Sequence, residues 1–164
     1  LLLKGTAITL NEQDSPTWAG IRQKGFQTET VLKLAPATES EGMRIGLSAY
    51  YNNDYHYEIY LTKECGTWKI CLAKHVHDIF AVTAQVEADL PESKEVEFKI
   101  ISDREGYTFL FSTDSTQYQK LGTGSAAGLS TEGTWTMTFT GTYLAMFAER
   151  ADAEISGFTC KVLD

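Results

Sequence analysis

The chain has 164 residues, 43% of them hydrophobic, and a net charge of −8. That length suits one domain with an ordinary core, residues 1–164 taken together. The negative balance argues against nucleic acid and anionic membranes as partners, and no apolar run is long enough to cross a bilayer as a helix. The first residue is Leu and no charged-then-apolar leader opens the sequence, so it reads as a piece excised from a longer protein.

The elements read as strand after strand. Thr28 to Leu34 alternates Thr and Val with charged residues. Ile45, Leu47, Ala49 and Tyr51 share one face by the two-residue period. Asn52-Asn53-Asp54 is a turn, because Asn and Asp tolerate left-handed backbone. Tyr55, Tyr57, Ile59 and Leu61 then form a second apolar row on the strand that pairs back. Cys65-Gly66-Thr67 turns the chain into Trp68, Ile70 and Leu72. Thr83 to Asp89 has room for a short turn of helix. Val96, Phe98 and Ile100 make another row, Asp103 to Gly106 a turn, and Tyr107, Phe109 and Phe111 the returning strand. Gly122 to Gly133, rich in Gly, Ser and Ala, reads as a loop. Trp135 to Ala148 and a final strand, Ile155 to Val162, complete the chain. Many short strands joined by turn residues predict an all-β antiparallel sandwich.

Candidate chemistry is sparse. Exposed aromatics can stack on sugar rings, and Trp18, Tyr50, Tyr55, Tyr60 and Trp135 are the candidate carbohydrate contacts. Tyr51, Tyr57 and Trp68 fall on rows that face the core. His75 and His77 share one side if their segment is a strand, but two ligands do not fix a metal. All three histidines, His56 included, read as solvated surface groups. Glycoside hydrolysis needs paired carboxylates, yet Glu39, Glu41, Asp54, Glu58, Asp103, Asp114 and Asp152 sit in turn-like or polar contexts. The sequence has no nucleophile elbow or phosphate loop. Cys65, Cys71 and Cys160 are an odd number with no zinc spacing, and read as buried or half-buried structural thiols. No metal or cofactor is expected, and the acidic spacing around Asp103 and Asp114 is not that of a calcium loop.

Several segments together carry a family resemblance. They are Leu2-Leu3-Lys4-Gly5, the run Ser15-Pro16-Thr17-Trp18-Ala19-Gly20-Ile21-Arg22-Gln23-Lys24-Gly25-Phe26, the tyrosine hairpin Ala49 to Leu61, and Phe139-Thr140-Gly141. The chain resembles the C-terminal β-sandwich of family 43 glycoside hydrolases, the β-xylosidases and arabinofuranosidases. It departs from that pattern at Ile21, where the family has a first Arg before Arg22-Gln23, at Ile45-Gly46-Leu47 in place of Ala-Gly-Leu, at Ala145 in place of Gly, and in the final strand.

The resemblance implies a concanavalin A-like jelly roll attached to a five-bladed catalytic propeller. It implies a parent enzyme that hydrolyses xylosides or arabinosides from xylan or arabinan oligosaccharides by single displacement with inversion. The catalytic carboxylates would lie outside this chain. The sandwich would pack on the propeller and send Phe139 into its substrate pocket, capping the sugar. Partners implied are the propeller and oligosaccharide, with self-association of an exposed apolar patch as a further expectation. A bacterial cytoplasm or periplasm is the expected compartment. The alternative is a stand-alone carbohydrate-binding or lectin-like module, which would show several Tyr and Trp on one exposed face.

Overall fold

A computed structural model describes residues 1–129 and 141–163. Twelve strands lie among them: β1 Leu2–Leu3, β2 Thr17–Arg22, β3 Thr28–Pro36, β4 Arg44–Asn52, β5 Tyr55–Glu64, β6 Thr67–Val76, β7 Ile79–Glu87, β8 Val96–Ser102, β9 Gly106–Ser112, β10 Gln119–Ser125, β11 Tyr143–Glu149 and β12 Ala153–Val162. They form two antiparallel six-stranded sheets. The first runs β1-β12-β3-β8-β9-β10 and the second β2-β11-β4-β5-β6-β7. Pairing β12 with β3, and β11 between β2 and β4, brings the ends of the chain back onto its middle. The fold is an all-β sandwich of concanavalin A-like type.

The period-2 rows supply the core between the sheets. Leu47 faces Ile59 and Ala49 faces Tyr57 across β4 and β5. Phe98 lies beside Leu32, and Ile100 beside Phe109, in the opposite sheet. All of these side chains are buried, and removing large apolar side chains from water is the main favourable term in such a fold. Tyr57 keeps its hydroxyl satisfied by donating to the Ser125 carbonyl at 2.7 Å, and burial pushes its pKa up to about 12.

The second sheet is also covered on its outer face. Residues 5–16 cross it as a strap. Leu10 of the strap packs with Tyr60, Cys71, Ala73 and Phe147, and Trp18 and Tyr50 flank this cluster. The strap is fixed at one end by a bridge between Thr6 and Glu149 and by Arg150 N donating to Thr6 O at 2.8 Å. Gly46 permits the close approach of β5 beneath it, because a Cβ there would stand 2.0 Å from the Ile59 carbonyl oxygen.

Four expectations change. Thr83 to Asp89 is not helical: Thr83–Glu87 belongs to β7, a largely exposed edge strand whose pairing with β6 shifts register between Val82 and Ala84. Gly122 to Ser125 completes β10, and the loop there narrows to a 3-10 turn at Ala126–Leu129; the remainder of that loop lies outside the described residues. His56 and His75 are buried rather than solvated, because the strap shields the face that the sequence presents as polar. Cys65 is exposed at its turn, whereas Cys71 is buried and Cys160 half-buried.

Candidate functional site

One end of the sandwich opens into a cleft of about 570 Å³. Gln23, at the exit of β2, organises it. Its backbone N–H donates to Thr142 O at 2.9 Å. Its side-chain Nε2 donates to Gly25 O at 2.8 Å and to Ser102 Oγ at 3.2 Å, while Oε1 accepts from the Tyr107 hydroxyl at 2.9 Å. β8, β9 and the segment entering β11 are thereby tied to one residue. Tyr107 is buried, which raises its pKa, so it is a neutral donor at physiological pH. Removing that donor should cost about 1 kcal/mol: Tyr107→Phe is expected to lower the urea midpoint without altering the denaturant slope.

The cleft wall is aromatic and cationic. Phe26, in the connection between β2 and β3, is 57% exposed, and the Arg104 guanidinium sits 4.9 Å from its ring centroid. Leu129 and Gly141 both line the cleft. They flank residues 130–140 in the sequence. Gly141 takes φ +73°, a conformation that favours glycine.

Beside the cleft, the outer face of the second sheet carries an aromatic group. Trp18 lies 5.3 Å from Tyr50 at 38° and 5.6 Å from Tyr143 at 70°, and Arg22 sits 5.7 Å from the Tyr143 ring. Deeper, under the strap, is an ionic cluster. Arg44 Nη2 donates to Glu58 Oε2 at 2.7 Å, and its Nη1 is 3.8 Å from Glu149 Oε1. His56 places Nε2 2.8 Å from Glu58 Oε1 and Nδ1 3.1 Å from the Asn52 carbonyl oxygen. Burial alone would raise the Glu58 pKa, but the Arg44 charge and the His56 bond overcome it and hold the carboxyl below its usual range.

With this geometry in hand, the match to known proteins is direct. The model of the β-xylosidase C-terminal concanavalin A-like domain matches residues 1–159. The chain belongs to that family. It is 30% identical, over 148 residues, to the non-reducing end α-L-arabinofuranosidase BoGH43B of Bacteroides ovatus, covering 90% of this chain and 27% of that protein. It superposes on the solved Bacteroides ovatus xyloglucan PUL GH43B with a TM-score of 0.88 at 28% identity, over 99% of this chain and 32% of that one. A xylan β-1,4-xylosidase from Bacillus halodurans C-125 shares the fold, with a TM-score of 0.89 at 23% identity, over 98% of this chain and 32% of that one. The chain therefore spans less than a third of the length of each of these relatives.

Within this GH43 C-terminal domain the sequence-predicted residues separate. Trp18 and Tyr50 come together and are half-buried. Tyr55 is 1% exposed and points into the core, and Tyr60 is 5% exposed beneath the strap with Arg44 4.2 Å from its ring. Neither offers a ring face to solvent. Trp135 and Phe139 lie outside the described residues. His77 follows β6 at φ 60° in the turn, so it does not share a strand face with His75. Asp103 Oδ1 accepts from the Glu105 and Gly106 amides. Asp114 Oδ1 accepts from the Thr116 and Gln117 amides, which holds its carboxyl well below the usual range. Both carboxylates are occupied in shaping turns. Gln23, Tyr107, Phe26 and Tyr143 were not singled out as site residues from sequence. The Gln23-Tyr107 contact spans 84 positions, and the one local signal was the placement of Gln23 and Phe26 inside the Ser15–Phe26 run.

Proposed function

We propose that the chain is the accessory domain of a glycosidase acting on xylosides or arabinosides, and that it docks by its cleft end on the catalytic propeller. Its task is to complete the substrate pocket, with Phe139 as the aromatic wall that caps the sugar and excludes water. The observation that carries this reading is the position of Leu129 and Gly141. The two ends of the segment bearing Phe139 both line the cleft where Phe26 is exposed. The hydrolytic carboxylates belong to the propeller in this reading, and the sandwich shapes the site without reacting.

Weak self-association fits the same picture. β7 ends its sheet and leaves Ile79 and Val82 exposed along that edge, the kind of edge that pairs with other chains. A stand-alone carbohydrate-binding role has less support. Among the described residues, the outer-face rings tilt against one another and are half-buried, which is a poor platform for a flat sugar face.

The test is Phe139→Ala in the complete enzyme. The expected result is a fall in kcat/KM of about tenfold or more, equivalent to about 1.4 kcal/mol of transition-state stabilisation, with the thermal midpoint unchanged. Unaltered kinetics in a folded variant would remove the pocket role.

A further inference from the structure

Glu149 is the least satisfied group in the described residues. It ends β11 on the outer face of the second sheet and is 1% exposed; neither carboxylate oxygen has a partner in good hydrogen-bond geometry, and the Leu10 backbone of the strap is only a weak donor near it. Arg44 Nε beside it is also unpaired. The cause is a shortage of cations. Two buried carboxylates, Glu58 and Glu149, face one guanidinium, and Glu58 holds it at 2.7 Å against 3.8 Å for Glu149. The strap rests on this spot. Thr6 bridges Glu149, and Leu10 packs over Tyr60 and Phe147 on the same face. His75 ties the strap from the other side, with Nδ1 2.6 Å from Asn11 Oδ1.

We propose that Glu149 is a pH-dependent latch for residues 5–16: its neutral form lets the strap close over the outer face, and its ionisation loosens the strap. The groups that bear on it are Arg44 of β4, Glu58 of β5, the adjacent Arg150 and the Leu10 backbone. His56 and His75 act on it through Glu58.

Burial and the Glu58 charge push the Glu149 carboxyl up to about 8 with the strap closed. Once the strap lifts, water reaches the carboxyl and its pKa falls back toward the ordinary carboxylate range. The closed form therefore binds more protons across the interval between these values. Opening becomes more favourable as pH rises through that interval, and the effect levels off above about pH 8. A buried, unpaired carboxylate has no favourable alternative to protonation or exposure.

Cys71 lies under the strap and is buried, so its thiol reports opening. The experiment labels the 164-residue chain with a maleimide between about pH 6 and 8.5 and follows the Cys71 peptide by mass spectrometry. Wild type is compared with Glu149→Gln at each pH, which cancels the thiol's own ionisation. The wild-type to variant rate ratio should rise at least tenfold between about pH 6 and 8 and then flatten, since each pH unit below the closed-state value carries up to tenfold in the opening equilibrium. A ratio that stays constant with pH would overturn the latch. If Glu149→Gln does not fold, Glu149→Met serves in its place, with the same two outcomes.

Discussion

Arg44→Met is expected to destabilise the chain by about 3–5 kcal/mol, the usual cost of removing one partner from a buried ion pair. The size follows from what is left behind. Glu58 is fully buried and loses its 2.7 Å guanidinium contact. Glu149 loses the guanidinium 3.8 Å from its Oε1. Tyr60 and Phe80 lose the guanidinium packed 4.2 and 5.0 Å from their ring centroids, although the Met side chain replaces part of that contact. Urea denaturation should show the loss in midpoint, and the thermal midpoint should fall by about 10 °C. The triple variant Arg44→Met, Glu58→Gln, Glu149→Gln should recover much of the loss, because it leaves no uncompensated charge. A single-variant loss under about 1 kcal/mol would mean the cluster is hydrated and electrostatically cheap.

That cluster also marks where sequence reading stops. The inward rows were legible because alternation requires only local order: Ile45, Leu47, Ala49 and Tyr51 in β4, and Tyr55, Tyr57, Ile59 and Leu61 in β5, all face the core. The outward row of β5, His56, Glu58 and Tyr60, looks like a solvated face by the same rule. It is buried because a strap more than forty positions upstream lies over it, and alternation carries no information about a third layer. Ile8 and Leu10, apolar residues directly before the polar run Asn11 to Ser15, are the available sign. β7 failed in the opposite way. Phe80, Val82, Ala84 and Val86 do alternate, but the register shift against β6 splits that row, setting Phe80 and Val82 opposite His75 and Ala73 and setting Ala84 and Val86 opposite Leu72 and Ile70. The cleft was half legible. The Ser15–Phe26 run drew attention to the right segment, but the hydrogen bonds from Gln23 to Ser102 and Tyr107 depend on the crossing of distant strands.

Phe26→Asp is expected to weaken association with the catalytic propeller about 30-fold while leaving the fold intact. The two halves of this expectation have separate grounds. Phe26 lies in a connecting segment and is 57% exposed, so little burial is lost in the isolated domain and its thermal midpoint should hardly move. In the docked state the same ring would be buried together with Arg104, and aromatic and Arg anchors of this kind dominate binding, typically about 2 kcal/mol or more each. Asp adds a desolvation cost at the contact, since a carboxylate buried without a dedicated partner opposes docking. Calorimetric titration of the separately produced propeller with wild-type and variant sandwich measures the ratio directly. A 30-fold weaker Kd corresponds to about 2 kcal/mol. Equal affinities would move the docking surface away from the cleft. A weaker Kd for Phe26→Asp, joined to normal affinity but lowered kcat/KM for Phe139→Ala, would separate the two duties: Phe26 holds the domains together, and Phe139 works only once they are joined.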